Sequence, residues 1–196
     1  MKMNMDMQAQ KQWVEGLRTG DEATFDQVYD HFRARLFSFL LRMTLRQDVA
    51  EDLLQETFLR LASHGDRLRE DSHLSAWLYT VARNLAMSYH RRCFLDQERV
   101  GELGRLGFEA GVGPFEALAV NELQARVEGI LARLPAKYRE ALLLAGAEGF
   151  TPLEAAEICG IKADAFRQRL SRARAMLKQR LDKGSATSLT PQEVLS

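Results

Sequence analysis

The sequence predicts an all-α protein with two small helical domains, joined by a flexible linker, of which the C-terminal domain is a helix-turn-helix. Three observations support this. Almost every segment with a clear hydrophobic period has the helical spacing of three and four residues. A glycine-rich stretch interrupts this pattern at residues 93–120. The region at 151–183 then combines a capped short helix, a glycine turn and a strongly basic helix.

The N-terminal domain is predicted to span residues 1–92 and to contain three antiparallel helices. Asp21 is a suitable N-cap for the first, Asp48 begins the second, and Ser72 caps the third. A polar loop at 64–72 separates the last two, and a further helix is possible at 11–18. The apolar face of the third helix consists of Leu74, Leu78, Val81, Ala82, Leu85 and Tyr89.

The linker at 93–120 differs in composition from the rest of the chain. Five of its residues are glycines, a proline follows them, and acidic residues outnumber basic ones. Such a composition is typical of a flexible connection between domains. We expect the C-terminal domain at 121–183 and a disordered tail at 184–196.

The C-terminal domain carries strong signals for helix ends. Thr151 with Glu154 three residues later forms a capping box, and Pro152 stands at the first helical position, where its missing N–H costs nothing. Gly160 ends this helix, and a last helix is predicted at about 163–181. A capped helix, a glycine turn and a basic helix in this order indicate a DNA-binding helix-turn-helix.

The last helix divides into an apolar and a polar side. Phe166, Leu170, Ala173 and Leu177 share one face and would anchor the helix. Arginine and glutamine can bind base edges in bidentate fashion, and flanking cations can bind phosphates. A solvated basic face on an ordinary helix is the alternative explanation. The candidate DNA-binding residues are Arg167, Gln168, Arg169, Ser171, Arg172 and Arg174.

A second polar stripe follows the third predicted helix. Trp77, Thr80, Asn84 and Arg91 recur at helical spacings, with Met87 in the same line. An aromatic ring, an amide and a cation in one line can bind exposed bases by stacking and hydrogen bonding. Alternatively, Trp77 is part of the core, and Arg91 only complements the dipole at the helix end.

The second predicted helix carries an acidic side formed by Glu51, Asp52, Gln55 and Glu56. It is either a solvated surface or a contact for another protein. The whole chain has 27 basic and 27 acidic residues, so its net charge is zero and the charges are segregated. Residues 162–183 contain eight basic side chains, and residues 48–56 contain four acidic and no basic ones. This segregation favours a protein that holds DNA with one surface and a protein with another.

Several function classes are not supported by the sequence. No stretch resembles a catalytic triad, a phosphate-binding glycine loop or paired catalytic carboxylates, so we predict neither an enzyme nor a cofactor. The four histidines and two cysteines have no zinc-ligand spacing, so we predict no metal. The two distant cysteines and the lack of an export signal or a membrane-spanning run predict a cytoplasmic protein without membrane insertion.

Read together, three segments resemble regions 2 and 4 of extracytoplasmic-function (ECF) sigma factors, the smallest sigma-70-type factors. These segments are DVAEDLLQETFLRLASH, HLSAWLYTVARNLAMSYHRR and LARLPAKYREALLLAGAEGFTPLEAAEICGIKADAFRQRLSRARAML. The resemblance implies a subunit that binds core RNA polymerase, directs it to a two-part promoter and starts transcription. It also implies an anti-sigma factor as a partner, since an alternative sigma factor that is always active would divert polymerase.

The resemblance also implies a role for each surface. The helix with Asp52, Gln55 and Glu56 would dock on the clamp helices of the polymerase β′ subunit. The stripe of Trp77, Thr80, Asn84 and Arg91, with the loop before it, would melt and read the −10 element. The basic helix would read the −35 element, and residues 134–144 would help to contact the β flap. Asp164 near the start of the basic helix departs from the usual family pattern and leaves the promoter sequence open.

Two other classes of protein remain as alternatives. A helix-turn-helix regulator with a ligand-binding or dimerising N-terminal domain would bind duplex promoter DNA by itself. A helical enzyme or metal-binding bundle with a basic tail would need a catalytic set that the sequence does not contain. Transcription with purified core polymerase separates these classes, because only a sigma factor enables the polymerase to start at a specific site.

Overall fold

The computed structural model describes residues 7–100 and 122–187, with side-chain surroundings described for 8–93 and 123–182. The described part is entirely helical, which confirms the predicted fold class. A 3₁₀ turn at Gly65–Arg67 and a π-helical turn at Leu143–Ala147 supplement eight α-helices. These helices are α1 (Met7–Thr19), α2 (Glu22–Thr44), α3 (Gln47–His64), α4 (Leu74–Val100), α5 (Glu122–Ala132), α6 (Ala136–Leu142), α7 (Pro152–Cys159) and α8 (Ala163–Thr187).

Helices α1 to α4 form the N-terminal unit. Asp21 is the N-cap of α2, as predicted, because its carboxylate accepts hydrogen bonds from the amides of Ala23 and Thr24. Helix α2 lies at the centre and packs against α1, α3 and α4. Its apolar side chains are fully buried, and each contributes about 1.5–3 kcal/mol of hydrophobic free energy when removed from water. They include Val28, Phe32, Leu36, Phe39, Leu40 and Met43.

Two predicted boundaries in this unit are wrong. Ser72 does not cap α4: its hydroxyl accepts a hydrogen bond from the amide of Arg69 at 2.9 Å and closes the preceding turn. The first helical amide contact of α4 runs from Trp77 to the carbonyl of His73. Helix α4 then continues to Val100, so the first part of the predicted linker is helical. The remainder of that linker lies outside the described residues, and its flexibility stays a prediction.

Helices α5 to α8 form the C-terminal unit. The capping box of α7 is present: the Thr151 hydroxyl accepts from the amide of Glu154, and the Glu154 carboxylate accepts from the amide of Thr151. Helix α8 is anchored by buried Phe166, Leu170 and Ala173. It continues to Thr187, beyond the predicted end and into the predicted tail, of which residues 188–196 lie outside the described part.

The two units pack against each other. The Tyr79 ring on α4 meets the Phe39 ring on α2 at 5.3 Å between centroids. On its other side it meets Phe150 of the C-terminal unit at 5.1 Å, also edge to face. Helix α7 lies against α4, and α6 contacts α2. We call this arrangement the closed form.

Candidate nucleic-acid and polymerase interfaces

The turn before α8 gives this helix a fixed direction. Gly160 adopts the left-handed conformation, with φ of 65° and ψ of 36°, which a glycine reaches without steric cost. The amide of Ile161 donates to the carbonyl of Ala156 at 3.0 Å, so the end of α7 is satisfied. The chain then enters α8 at Ala163. These contacts produce the short-helix, tight-turn, long-helix geometry that the sequence predicts.

Most of the predicted DNA-binding side chains of α8 point to solvent. Arg167, Gln168, Ser171, Arg172 and Arg174 are exposed. Arg167 forms an ion pair with Asp164 at 2.9 Å, and both side chains are more than half exposed. An exposed pair of this kind is weak, so it competes little with a DNA phosphate. We call these five outward residues the α8 stripe.

Arg169 is different from the other arginines of α8. One of its terminal nitrogens bonds to Glu140 on α6 at 2.9 Å, and only 21% of its side chain is exposed. Its guanidinium is therefore engaged inside the C-terminal unit rather than presented to solvent. The periodicity of the sequence placed Arg169 on a flank of the helix and did not distinguish it from its neighbours.

The predicted base-reading stripe of α4 is only partly exposed. Asn84 and Arg91 are exposed, whereas Trp77 and Thr80 are half-buried. Trp77 packs against the core, and the Thr80 hydroxyl donates to the Ala76 carbonyl of its own helix at 2.7 Å. The Arg91 guanidinium donates to the hydroxyl of Ser88 at 2.9 Å. The four residues do lie along one helix, and its two later members, Asn84 and Arg91, are accessible.

The acidic side of α3 faces solvent. Asp52 and Gln55 are exposed, and Glu56 forms an ion pair with Arg60 one turn later at 2.8 Å. Leu59 lies next to them and is 61% exposed. We use the name α3 surface for four residues: Asp52, Gln55, Glu56 and Leu59. The patch thus combines acidic and amide side chains with one accessible leucine.

Three buried carboxylates of the C-terminal unit, which sequence analysis missed, pair with the N-terminal unit. Glu140 binds Arg83 of α4, and Glu148 binds Arg35 of α2 at 2.9 Å. Nε of Arg42 donates to both carboxylate oxygens of Glu128, at 2.9 and 3.1 Å, and Nη2 of Arg42 lies 2.8 Å from Oε1. The three carboxylate residues, Glu128, Glu140 and Glu148, are 5%, 0% and 6% exposed.

Glu148 also accepts a hydrogen bond from the hydroxyl of buried Tyr79. Burial and this carboxylate raise the pKa of Tyr79, so the hydroxyl remains a donor. Glu140 lies beside the thiol of Cys159, and burial raises the pKa of that thiol to about 12. Cys159 is therefore protonated and unreactive at neutral pH.

Arg139 joins the two units in another way. Its buried guanidinium donates to five backbone carbonyls at distances of 2.7 to 3.1 Å. Two of these carbonyls lie in the last turn of α2, and three lie at and after the end of α5. Since helix ends leave carbonyls unpaired, one side chain satisfies the ends of two helices. The acceptors are the carbonyls of Arg42, Met43, Leu131, Ala132 and Leu134.

Burial lowers the pKa of Arg139 to about 10, so it remains charged at neutral pH. His90 of α4 donates through Nε2 to the same Met43 carbonyl at 2.8 Å. Burial lowers the pKa of His90, and the nearby positive charge of Arg139 acts in the same direction.

A sequence signal for this interface does exist. Arg35 and Arg42 are seven residues apart on α2, with Phe39 between them at helical spacing, and Tyr79 and Arg83 are four apart on α4. Each set forms a stripe of mixed aromatic and cationic residues along one line of its helix. The stripes indicate a second contact face, but the sequence does not reveal its partner.

Comparison with known proteins decides the family. The pattern of sigma-70 region 2 matches residues 28–93, and that of sigma-70, region 4 matches residues 124–177. The ECF RNA polymerase sigma factor SigM of Bacillus subtilis (strain 168) is 34% identical over 162 residues, which cover 82% of this chain and 97% of SigM. The chain belongs to the ECF sigma factors. It therefore initiates transcription with RNA polymerase and is not an enzyme.

Two further similarities cover comparable shares of this sigma factor. The ECF RNA polymerase sigma factor EcfG of Rhodopseudomonas palustris (strain TIE-1) is 32% identical over 82% of this chain and 86% of EcfG. A crystal structure of the sigma factor RpoE in complex with the anti-sigma factor NepR, from Bartonella quintana, matches with a TM-score of 0.68. It is 30% identical and covers 81% of this chain and 96% of RpoE.

The described helices of this sigma factor include none with the length and hydropathy of a membrane span. Among the described side chains, no cluster of histidine, cysteine, aspartate and glutamate has the arrangement of a metal site.

Proposed function

We propose that this sigma factor engages polymerase and promoter through three surfaces: the α3 surface, the stripe of α4 and the α8 stripe. The observation that carries this assignment is the exposure of α3 and α8 on different units. One polypeptide thus presents an acidic surface for a protein and a basic surface for DNA at the same time. The boundaries 1–92 for region 2 and 121–183 for region 4 belong to this proposal.

For the −35 element, we assign base reading to Gln168, Ser171 and Arg172 and phosphate binding to Arg167 and Arg174. All five are exposed on a helix whose opposite face is buried, so the helix can enter a major groove without rearrangement. Arg169 receives a different role: its bond to Glu140 makes it a positioning residue for α8.

For the −10 element, we assign Asn84 and Arg91 to bases and phosphates, because both are exposed on α4. Trp77 and Thr80 lie half-buried beside the preceding turn, where an extruded base would be captured. Stacking on Trp77 requires that base to approach the accessible part of the ring. Capture of an unpaired base favours the melted promoter.

For polymerase, the α3 surface with Asp52, Gln55 and Glu56 is assigned to the β′ clamp helices. Residues 134–144 are assigned to the β flap. Several of them, including Leu134, Leu143 and Leu144, are buried in the closed form. Separation of the two units would let them span the spacer between the two promoter elements.

We further propose that an anti-sigma factor binds this protein in the cytoplasm, where polymerase and DNA are found. The support is the similarity to RpoE, whose structure was determined with the anti-sigma factor NepR. The match extends over both units of this chain. A partner that binds both units at once would keep the closed form from opening.

The polymerase assignment is tested with the double variant Asp52→Ala and Gln55→Ala. We expect its affinity for core polymerase to fall by roughly tenfold or more, because charged and polar anchors are removed from a protein contact. Affinity is measured by fluorescence anisotropy of the labelled full chain. The matched control is Asp26→Ala with Gln27→Ala, an exposed pair on α2.

Run-off transcription with core polymerase and a library of promoter fragments gives the functional readout. We expect the wild-type chain to start transcription at specific sites and the Asp52→Ala, Gln55→Ala variant to require a higher protein concentration. Unchanged affinity of this variant for core polymerase would remove the α3 surface from the proposal. Absence of any specific start with the wild-type chain would contradict the whole assignment.

A further inference from the structure

We propose that Arg35, Arg42 and Arg83 form a binding site for DNA phosphates that the C-terminal unit occupies with three carboxylates in the closed form. This proposal rests on the proposed function, because it requires the two units to separate on promoter DNA. We call the three residues the arginine face. In the closed form the arginine face is covered by three carboxylates, which we call the occupants: Glu128, Glu140 and Glu148.

The arginine face is built by two packed helices. Arg35 and Arg42 are two turns apart on α2, which places them about 10 Å apart along the helix. Arg83 lies on α4, which packs against α2 where the Phe39 and Tyr79 rings meet at 5.3 Å. The backbone positions of the three arginines are thus fixed within the N-terminal unit.

Each arginine binds one carboxylate of the other unit. Arg42 binds Glu128 at 2.8 Å, Arg35 binds Glu148 at 2.9 Å, and Arg83 donates to Glu140 through Nε. A carboxylate and a phosphodiester are both oxyanions that accept the planar guanidinium fork. The occupants therefore satisfy the arginines in the way that phosphate oxygens would.

The exposure of the three arginines would allow a phosphate to replace the carboxylate that each of them binds. Side-chain exposure is 33% for Arg35 and 18% for both Arg42 and Arg83, so the cations lie at the rim, whereas the carboxylates are buried. Buried ion pairs add little net stability compared with an apolar contact, because desolvation offsets their attraction. These three pairs therefore add little to the cost of separating the units, and phosphate contacts would offset part of that cost.

Arg83 connects the arginine face to base reading. While its Nε donates to Glu140, its Nη1 donates to the side-chain oxygen of Asn84 at 3.0 Å. Asn84 is a proposed −10 contact on the adjacent position of α4. When Arg83 moves from Glu140 to a phosphate, it can hold Asn84 against the neighbouring base. In the closed form Arg83 is instead engaged by Glu140.

The test measures binding of the full chain, without polymerase, to a short fluorescent DNA duplex of mixed sequence at salt concentrations from about 50 to 200 mM. The opening variant carries Glu128→Gln, Glu140→Gln and Glu148→Gln. We expect tighter binding and a slope of log affinity against log salt that is steeper by about two to three, since each added phosphate contact contributes about 0.9. Small-angle X-ray scattering is expected to show a larger radius of gyration.

The control variant carries Glu22→Gln, Glu51→Gln and Glu157→Gln, three exposed positions that give the same change in net charge. The slope of this variant is expected to equal that of the wild type. Adding Arg35→Ala, Arg42→Ala and Arg83→Ala to the opening variant is expected to restore the wild-type slope. Circular dichroism verifies the helix content of every variant. If the triple variant is unfolded, the single Glu128→Gln variant takes its place, and it is expected to steepen the slope by about one.

Two results would overturn the proposal. If a folded opening variant expands but keeps the control slope, the arginine face does not bind DNA phosphates, and an acidic protein surface becomes its partner. If it neither expands nor binds more tightly, the carboxylates do not hold the units together. Since this assay contains no polymerase, its failure is distinct from a failure of run-off transcription by the wild-type chain.

Discussion

The α8 stripe and the arginine face contain the same type of side chain in opposite surroundings. Arg172 and Arg174 on α8 are exposed, whereas Arg42 and Arg83 form pairs with buried carboxylates of the other unit. Helical periodicity predicted the first set because a solvated face opposes an apolar one. It missed the second set because the role of a charged residue on a buried face can be assigned only when its partner is known. Arginine content alone therefore does not locate a nucleic-acid surface.

The largest expected effect comes from Arg139, which belongs to the buried side of this comparison. Arg139→Ala removes a buried cation that donates to five carbonyls, of which those of Met43 and Leu131 keep a second donor, so we expect the free energy of unfolding to fall by about 3–5 kcal/mol. Urea denaturation followed by circular dichroism measures this loss. Arg133→Ala, at an exposed position, should change the free energy by less than about 0.5 kcal/mol. A loss below about 1 kcal/mol for Arg139→Ala would show that water replaces the guanidinium.

An intermediate effect is expected for Arg172 on the exposed side. Arg172→Ala should weaken promoter-specific initiation by roughly 1–3 kcal/mol, the range for a lost base contact, without changing the free energy of unfolding. Run-off transcription from a selected promoter measures the loss, with exposed Arg33→Ala as the control. Arg169→Ala provides the comparison with a half-buried arginine of the same helix, because it should reduce the free energy of unfolding through its lost bond to Glu140. Full promoter activity of Arg172→Ala would remove Arg172 from the reading set.

The smallest expected effect concerns pH. The pKa of His90 is lowered in the folded protein, so the unfolded chain binds more protons near the usual histidine pKa of 6.5. Stability should therefore be highest above this pH and decrease as the pH falls through and below 6.5. Thermal unfolding between pH 8 and 5.5 measures the decrease, which His90→Gln should diminish and exposed His73→Gln should not. An equal pH dependence in both variants would assign the effect to other groups, such as His31, whose pKa is also lowered by burial.

Local signals predicted most of the fold. The Asp21 cap, the Thr151 capping box and the Gly160 turn each depend on residues close in sequence, and all three are present in the structure. The errors also have local causes. Ser72 is a good capping residue in general, but its hydroxyl closes a turn with Arg69 instead. The end of α4 was placed too early because the charged residues after Cys93 were assigned to a linker.

The candidate site was predictable only where it faces solvent. The α3 surface and the α8 stripe follow from spacing, since their residues need no partner within the chain. The contacts of Glu128 with Arg42 and Glu148 with Arg35 join residues 86 and 113 positions apart. One sequence without relatives contains no information on which of many charged residues pair over such distances. The half-burial of Trp77 likewise depends on tertiary packing.

The polar composition of the interface between the units has a consequence for the protein in solution. If an interface made only of leucines and phenylalanines separated, it would expose two apolar patches and promote aggregation. Here the parted surfaces would carry arginines and glutamates beside apolar groups such as Tyr79 and Phe150. The charged groups on these surfaces would keep an extended state more compatible with water than a purely apolar interface would.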